Sequence, residues 1–143
     1  MPDRELFTTR VVHARRELVF EAFRDPQHLA RWWGPKGFTN TFHEFDFRPG
    51  GTWRFVMHAP TGASYQNRSV FVELVAPERI VFDHVSGPTF RMTVTLAEQA
   101  GATRIGWRML FESASECDRV KKFAVEANEQ NLDRLEAELA RMA

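Results

Sequence analysis

The chain has 143 residues, with 19 basic and 19 acidic side chains and a formal net charge of zero. That balance argues against a nucleic-acid binder, which carries a clustered basic excess; here the longest basic clusters are the pairs Arg15-Arg16 and Lys121-Lys122. Apolar residues make up 43%, too many for a disordered chain, and the length fits one domain over residues 1–143 that needs no metal or disulfide.

Leu6 to His13, rich in Val, Thr and Phe, reads as a first strand. Arg15 to Arg24 reads as a short helix, with Leu18, Val19, Ala22 and Phe23 at helical spacing. Asp25-Pro26 stops it and starts a second, because Asp caps a helix and Pro suits its first position. This second helix carries Leu29, Trp32 and Trp33 and ends at Gly34-Pro35.

From Phe42 to Phe111 the apolar period becomes two. Phe45 and Phe47 alternate with Glu44 and Asp46, and Trp53, Phe55 and Met57 with Thr52, Arg54 and His58. Runs at Val70-Val72-Leu74, Ile80-Phe82, Phe90 to Leu96 and Ile105 to Phe111 follow. Pro49-Gly50-Gly51, Pro60-Thr61-Gly62, Ala76-Pro77, Gly87-Pro88 and Ala100-Gly101 separate them as turns. The first hairpin, turning on Pro49-Gly50-Gly51, sets Phe47 opposite Trp53 and Asp46 opposite Arg54.

Ser113-Ala114-Ser115-Glu116 fits a capping box. Val120, Phe123, Ala124, Ala127, Leu132, Leu135, Leu139 and Met142 then form one stripe of a long helix over Glu116–Met142. The fold class is α+β. A seven-stranded antiparallel sheet curves around the C-terminal helix, and two short helices lie between strands one and two.

This order and its motifs resemble the START-like (SRPBCC, helix-grip) superfamily. The closer likeness is to the single-domain bacterial branch named after the activator of heat-shock-protein-90 ATPase, which is polyketide-cyclase-like. The carriers are Asp25-Pro26 leading to Trp32-Trp33-Gly34-Pro35, the hairpin Asp46-Phe47-Arg48-Pro49-Gly50-Gly51-Thr52-Trp53, the turn Ala76-Pro77-Glu78-Arg79-Ile80, the strand Thr103-Arg104-Ile105 and the helix segment Asn131-Leu132-Asp133-Arg134-Leu135. Members often carry Gly-Trp or Gly-Gly where this chain has Ala127-Asn128. The resemblance implies a fold and a cavity; chaperone activation is not carried over, since the eukaryotic co-chaperone has a further N-terminal domain.

Little chemistry is written in motifs. No two of His13, His28, His43, His58 and His84 stand three or four apart, and Cys-x-x-Cys and Gly-x-Ser-x-Gly are absent. Cys117 is the only cysteine and reads as an inert thiol. Gly50-Gly51 sits in a hairpin, so it is not a phosphate loop.

The composition itself is informative: 13 Phe and 4 Trp against 1 Tyr. So many rings mean either a Phe-rich core or a ligand cavity. Parity with the apolar positions places His43, Gln66, Arg68 and His84 on the inner face, and helical spacing places Asn128 and Asn131 beside the buried stripe. The expected cavity therefore comprises Trp32, Trp33, His43, Phe45, Trp53, Phe55, Arg68, Val70, Phe82, His84, Met92, Trp107, Met109, Asn128 and Asn131. An inward Arg68 would favour an anionic or phenolic ligand group.

The leading expectation is a binding protein for a small, mostly apolar or amphipathic molecule, with no cofactor and no metal. Alternatives are a cyclase or hydrolase using His43 or His84 as acid/base, and a chaperone-linked interaction domain. A monomer or weak homodimer is expected. A cytoplasmic location fits the single thiol and the charged segment Met1-Pro2-Asp3-Arg4-Glu5, which reads as no secretory signal.

Overall fold

The structure is a computed structural model and describes residues 2–143. Met1, where the charged N-terminal segment begins, lies outside the described residues. After a 3-10 turn at Pro2–Arg4 come β1 (Glu5–Val12), α1 (Arg16–Arg24) and α2 (Pro26–Trp32). Six strands follow: β2 (Thr39–Phe45), β3 (Thr52–His58), β4 (Ser64–Val75), β5 (Arg79–His84), β6 (Phe90–Gln99) and β7 (Ala102–Phe111). The long helix α3 (Ala114–Met142) comes last.

All seven strands lie in one antiparallel sheet, ordered β1-β7-β6-β5-β4-β3-β2. Strands β2 to β7 form a meander, and β1 adds to its far edge against β7. This is the α+β helix-grip architecture read from the sequence. The Asp25 cap acts as that reading expects, whereas the capping box forms only in its Ser113 half, because the Glu116 carboxylate turns to Arg119. Asp25 Oδ1 accepts from the Gln27 N–H at 2.9 Å with Pro26 at the first helical position, and Ser113 Oγ accepts from the Glu116 N–H at 3.1 Å.

The helix α3 spans 29 residues, about 43 Å at ~1.5 Å per residue. Its buried face carries Ala124, Asn131, Leu132, Leu135 and Leu139. Among the described residues no helix is long and apolar enough to cross a membrane.

Polar contacts fix α3 on both sides. Arg134 donates to the carbonyls of Arg31, Trp33, Gly34 and Pro35 at 2.7–3.1 Å, the groups that the end of α2 leaves without helical partners. On β1, Arg10 reaches Glu129, Asp133 and Glu136 at 2.8, 2.6 and 2.9 Å. The helix is thus held to α2 at one flank and to the sheet edge at the other.

The core between them is aromatic. Trp33 lies edge-on to Trp53 and Phe82, with centroids 5.1 and 5.9 Å away, and tilted against Trp107 at 5.6 Å. These are the separations at which ring quadrupoles attract. Trp32 is fully buried and donates its indole N–H to the Ala22 carbonyl at 3.0 Å.

The first hairpin corrects the expected register. Phe45, not Phe47, stands opposite Trp53, and Glu44, not Asp46, stands opposite Arg54. Asp46 instead pairs with Arg48 at 2.7 Å. The turn is longer than three residues because it also serves β4. Gly50 N–H donates to the Phe71 carbonyl at 2.7 Å, and Phe71 N–H donates to the Gly51 carbonyl at 2.9 Å. Drawing the loop onto β4 moves the last strand pair back by two residues.

Gly51 makes this tuck possible. A Cβ there would lie 2.0 Å from the Asp46 carbonyl oxygen, whereas a Cβ at Gly50, with φ +82°, would meet nothing within 4 Å. Gly51→Ala should therefore cost about 2–3 kcal/mol or more, since a backbone atom must move. Gly50→Ala should cost about 1–2 kcal/mol for the left-handed conformation alone. Urea midpoints of the two variants check the order; the reverse order would mean that the loop is not seated on β4.

Candidate functional site

Between the inner sheet face and α3 lies a cavity of about 380 Å³. Sheet residues Phe55, Met57, Phe82, Phe90 and Met109 line one side, and Val120, Phe123, Ala124 and Ala127 of α3 line the other. Trp33, Gly34 and Pro35, just after α2, close one end. The volume is at the lower end of ligand pockets, which run about 300–1,000 Å³. Phe123 is 68% exposed at the rim, while Ser69 on the lining is fully buried. The cavity therefore has an open mouth and a deep floor.

The floor is polar. Asn67, Ser69 and His84 line it from β4 and β5. Strand register sets Ser69 between Trp53 and His84. Both nitrogens of His84 are engaged: Nδ1 lies 2.8 Å from the Pro88 carbonyl oxygen and Nε2 lies 2.7 Å from Asn67 Oδ1. The Phe90 ring stacks on the imidazole with centroids 4.9 Å apart. Burial pushes the His84 imidazole below its ordinary value, and the hydrogen bond to Pro88 opposes that only in part.

On α3, Asn131 Oδ1 accepts from the Gly34 N–H at 3.2 Å, and Asn128 Nδ2 lies 3.4 Å from Met109 Sδ. Asn131 is thus a fastener of the α2 end as well as a wall residue. Gly34 has φ +103°, and a Cβ there would meet Met57 Cε at 2.7 Å. The Met57 methyl ends a flexible side chain and can move aside, so it is the positive φ that favours glycine here.

The structure divides the expected site residues into three groups. Trp33, Phe55, Phe82, His84, Met109, Asn128 and Asn131 line the cavity. Trp32, Phe45, Trp53, Met92 and Trp107 are core side chains behind that lining. His43, Arg68 and Val70 are corrections: they sit on the outer face of the sheet, and so does Gln66. His43, Gln66 and Arg68, with Arg54 and Ser86, line a second depression of about 300 Å³, which shares Phe55 and Asn67 with the cavity.

Two β-bulges explain the corrections. On β2 the register shifts between Phe42 and Glu44, so the inward rings are Phe42 and Phe45, three apart, with His43 as the extra residue. On β4 it shifts between Phe71 and Glu73, so the inward side chains are Asn67, Ser69 and Phe71, then Leu74. Counting back from Leu74 in steps of two lands on Val70 and Arg68, which face out. The missed floor residues Asn67 and Ser69 had one sequence signal. Phe71, the largest apolar side chain of β4, shares their parity.

Cys117 is buried, and burial first and Asp118 next push its thiol up. It lies outside the cavity lining.

Comparison with known proteins agrees with this geometry. The family model described as activator of Hsp90 ATPase homolog 1-like protein matches residues 13–140. A protein from Nitrosomonas europaea superposes with a TM-score of 0.91 at 18% identity, over 100% of this chain and 98% of its own. One from Chromobacterium violaceum gives 0.84 at 27% identity, over 93% and 95%. The AHSA1 protein from Silicibacter pomeroyi gives 0.81 at 23% identity, over 97% and 99%. No curated protein matches the chain. The two short helices, the curved sheet and the gripping helix, together with a model match over nearly the whole length, establish that the chain belongs to the family of activator of Hsp90 ATPase homolog 1-like proteins.

Proposed function

We propose that the protein binds a small, mostly apolar molecule in the cavity between the curved sheet and α3. The observation that carries this reading is the cavity itself: ring and methionine walls, a polar floor, and an open mouth at Phe123. A filled core would have closed this space, because protein interiors leave few voids larger than a water molecule. The fold commonly holds hydrophobic ligands, which supports the same reading.

His84 is not assigned as an acid/base, because Nδ1–H is committed to the Pro88 carbonyl and Nε2 is packed 2.7 Å from the Asn67 amide. A chaperone-linked role is not adopted either: the face that carries the cavity is covered by α3 rather than presented to a partner. We propose with it a cytoplasmic location for the protein, as a monomer or weak homodimer. Its buried single thiol asks for no oxidising compartment.

Native mass spectrometry of gently purified protein is the first test. The expected result is a discrete adduct that vanishes on denaturation and is recovered as a small apolar compound in the extract. A bare mass, together with no saturable tryptophan quenching by a panel of small aromatic and aliphatic compounds, would overturn the proposal.

A further inference from the structure

Resting on that reading, we infer that the cavity selects an uncharged ligand carrying one hydroxyl or carbonyl group, anchored at the Ser69 hydroxyl. Four buried polar side-chain atoms lack a hydrogen-bond partner among the described residues: Asn40 Oδ1, Trp53 Nε1, Ser69 Oγ and Trp107 Nε1. Only Ser69 belongs to the cavity lining, and its side chain is fully buried, so a ligand atom reaches the hydroxyl by parting the side chains around it. An unpaired buried hydroxyl lowers stability, so it calls for an occupant with a matching polar atom.

The rest of the lining sets the charge of that occupant. It contains no Lys, Arg, Asp or Glu. Arg68, which would have met an anion, is on the opposite face of the sheet. His84 donates to the Pro88 carbonyl through Nδ1, and its burial disfavours the charged ring. A carboxylate or ammonium moved to this floor would lose its water and find no counter-charge. A hydroxyl or carbonyl would lose little and would pair with Ser69 Oγ, which both donates and accepts. The remainder of the ligand then lies among Phe55, Phe82, Trp33 and Met109 toward the mouth at Phe123.

A matched series separates the terms: naphthalene, 2-naphthol and 2-naphthoate, titrated into the full chain at pH 7 and followed by tryptophan quenching. 2-Naphthol should bind about fivefold tighter than naphthalene, the size of one net hydrogen bond. 2-Naphthoate should bind at least about thirtyfold weaker than 2-naphthol, from uncompensated desolvation. Ser69→Ala should abolish the preference for 2-naphthol over naphthalene, both measured on the same variant, and keep or raise the melting temperature. Ser69→Cys, which keeps shape with a weaker donor, should fall between.

Equal binding of naphthalene and 2-naphthol, tightest binding of 2-naphthoate, or an unchanged preference for 2-naphthol in Ser69→Ala would overturn this inference. In those cases a binding cavity still stands. Failure of all three compounds to bind would sink the inference and count against the cavity reading as well.

Discussion

Ala127→Phe is expected to weaken binding of the apolar ligand at least about thirtyfold, or ~2 kcal/mol, while leaving the fold as stable or more so. Ala127 is a half-buried α3 residue on the cavity wall, facing Phe55, Met57 and Met109 across the space. A phenyl group placed there fills volume that the ligand would occupy. Burying that ring is worth about 1.5–3 kcal/mol, part of which is spent on the rotamer it must adopt. The cavity is empty of side chains, so filling it should not strain the core as overpacking does. Ala127→Leu should give an intermediate loss, because the effect follows the volume inserted. Calorimetric or fluorescence titration of both variants, with thermal melts beside them, is the measurement. Undiminished affinity in a folded Ala127→Phe would place the ligand elsewhere and remove the basis of the proposed function.

The position is instructive for another reason. Ala127 is followed by Asn128, where the family resemblance implies Gly-Trp or Gly-Gly. A tryptophan beside this wall would change the space near Met109, which Asn128 contacts here at 3.4 Å. Family membership therefore predicts a cavity, whereas its depth and polarity depend on side chains particular to each chain.

The fold was legible in the sequence because its signals are local and redundant. Asp25-Pro26 and Ser113 mark helix starts by hydrogen-bond chemistry that acts within three residues. Six strands show period two, and each turn carries Gly or Pro. The site was legible only where that period runs unbroken. On β5, β6 and β7 the inward residues His84, Phe82, Met92 and Met109 follow from simple alternation. On β2 and β4 one extra residue inverts every side chain before it, which exchanges Arg68 for Ser69 at the floor and expels His43. A bulge leaves no composition signal of its own. The consequence is chemical: a cavity expected to hold an anion becomes one without a charged wall.

The second large effect lies toward the far end of α3, where Glu138 was also hidden from the sequence reading. It stands three residues after Leu135 and four before Met142, so helical spacing puts it on the buried stripe. Its side chain has no solvent exposure. Oε2 accepts from His28 Nδ1 at 2.7 Å and Arg31 Nη1 at 3.3 Å, and Oε1 accepts from Arg141 at 2.6 and 3.0 Å. Its partners are not buried in the same way, since Arg31 and Arg141 are 58% and 61% exposed.

That asymmetry decides which substitution hurts. Arg141→Met strips both donors from a buried carboxylate oxygen and should cost about 2–4 kcal/mol. Glu138→Leu removes the buried charge itself, lets both arginines turn to water, and adds an apolar group beside Leu135 and Leu139. It should cost less than about 1.5 kcal/mol. Combining the two should recover most of the loss caused by Arg141→Met alone.

The pH response gives an independent check. Burial by itself would raise the Glu138 carboxyl, but the hydrogen bonds from His28, Arg141 and Arg31 outweigh it and hold the group below its ordinary value of 4.5. The unfolded chain therefore takes up this proton first as pH falls. The stabilisation from Glu138 is complete above the ordinary carboxylate value and is lost as pH drops through the depressed one. Glu138→Leu should lack this part of the acid limb. In Arg141→Met the burial effect gains weight, so its deficit relative to wild type should shrink on acidification. Urea unfolding at pH 7 and pH 4 reads both effects. If Glu138→Leu proves as damaging as Arg141→Met, the ion cluster is a net source of stability rather than a buried charge kept tolerable by its partners. The functional consequence follows from place: His28 and Arg31 belong to α2, so this cluster helps hold Trp33, Gly34 and Pro35 at the cavity end. Loosening it should weaken ligand binding even though none of its members line the cavity.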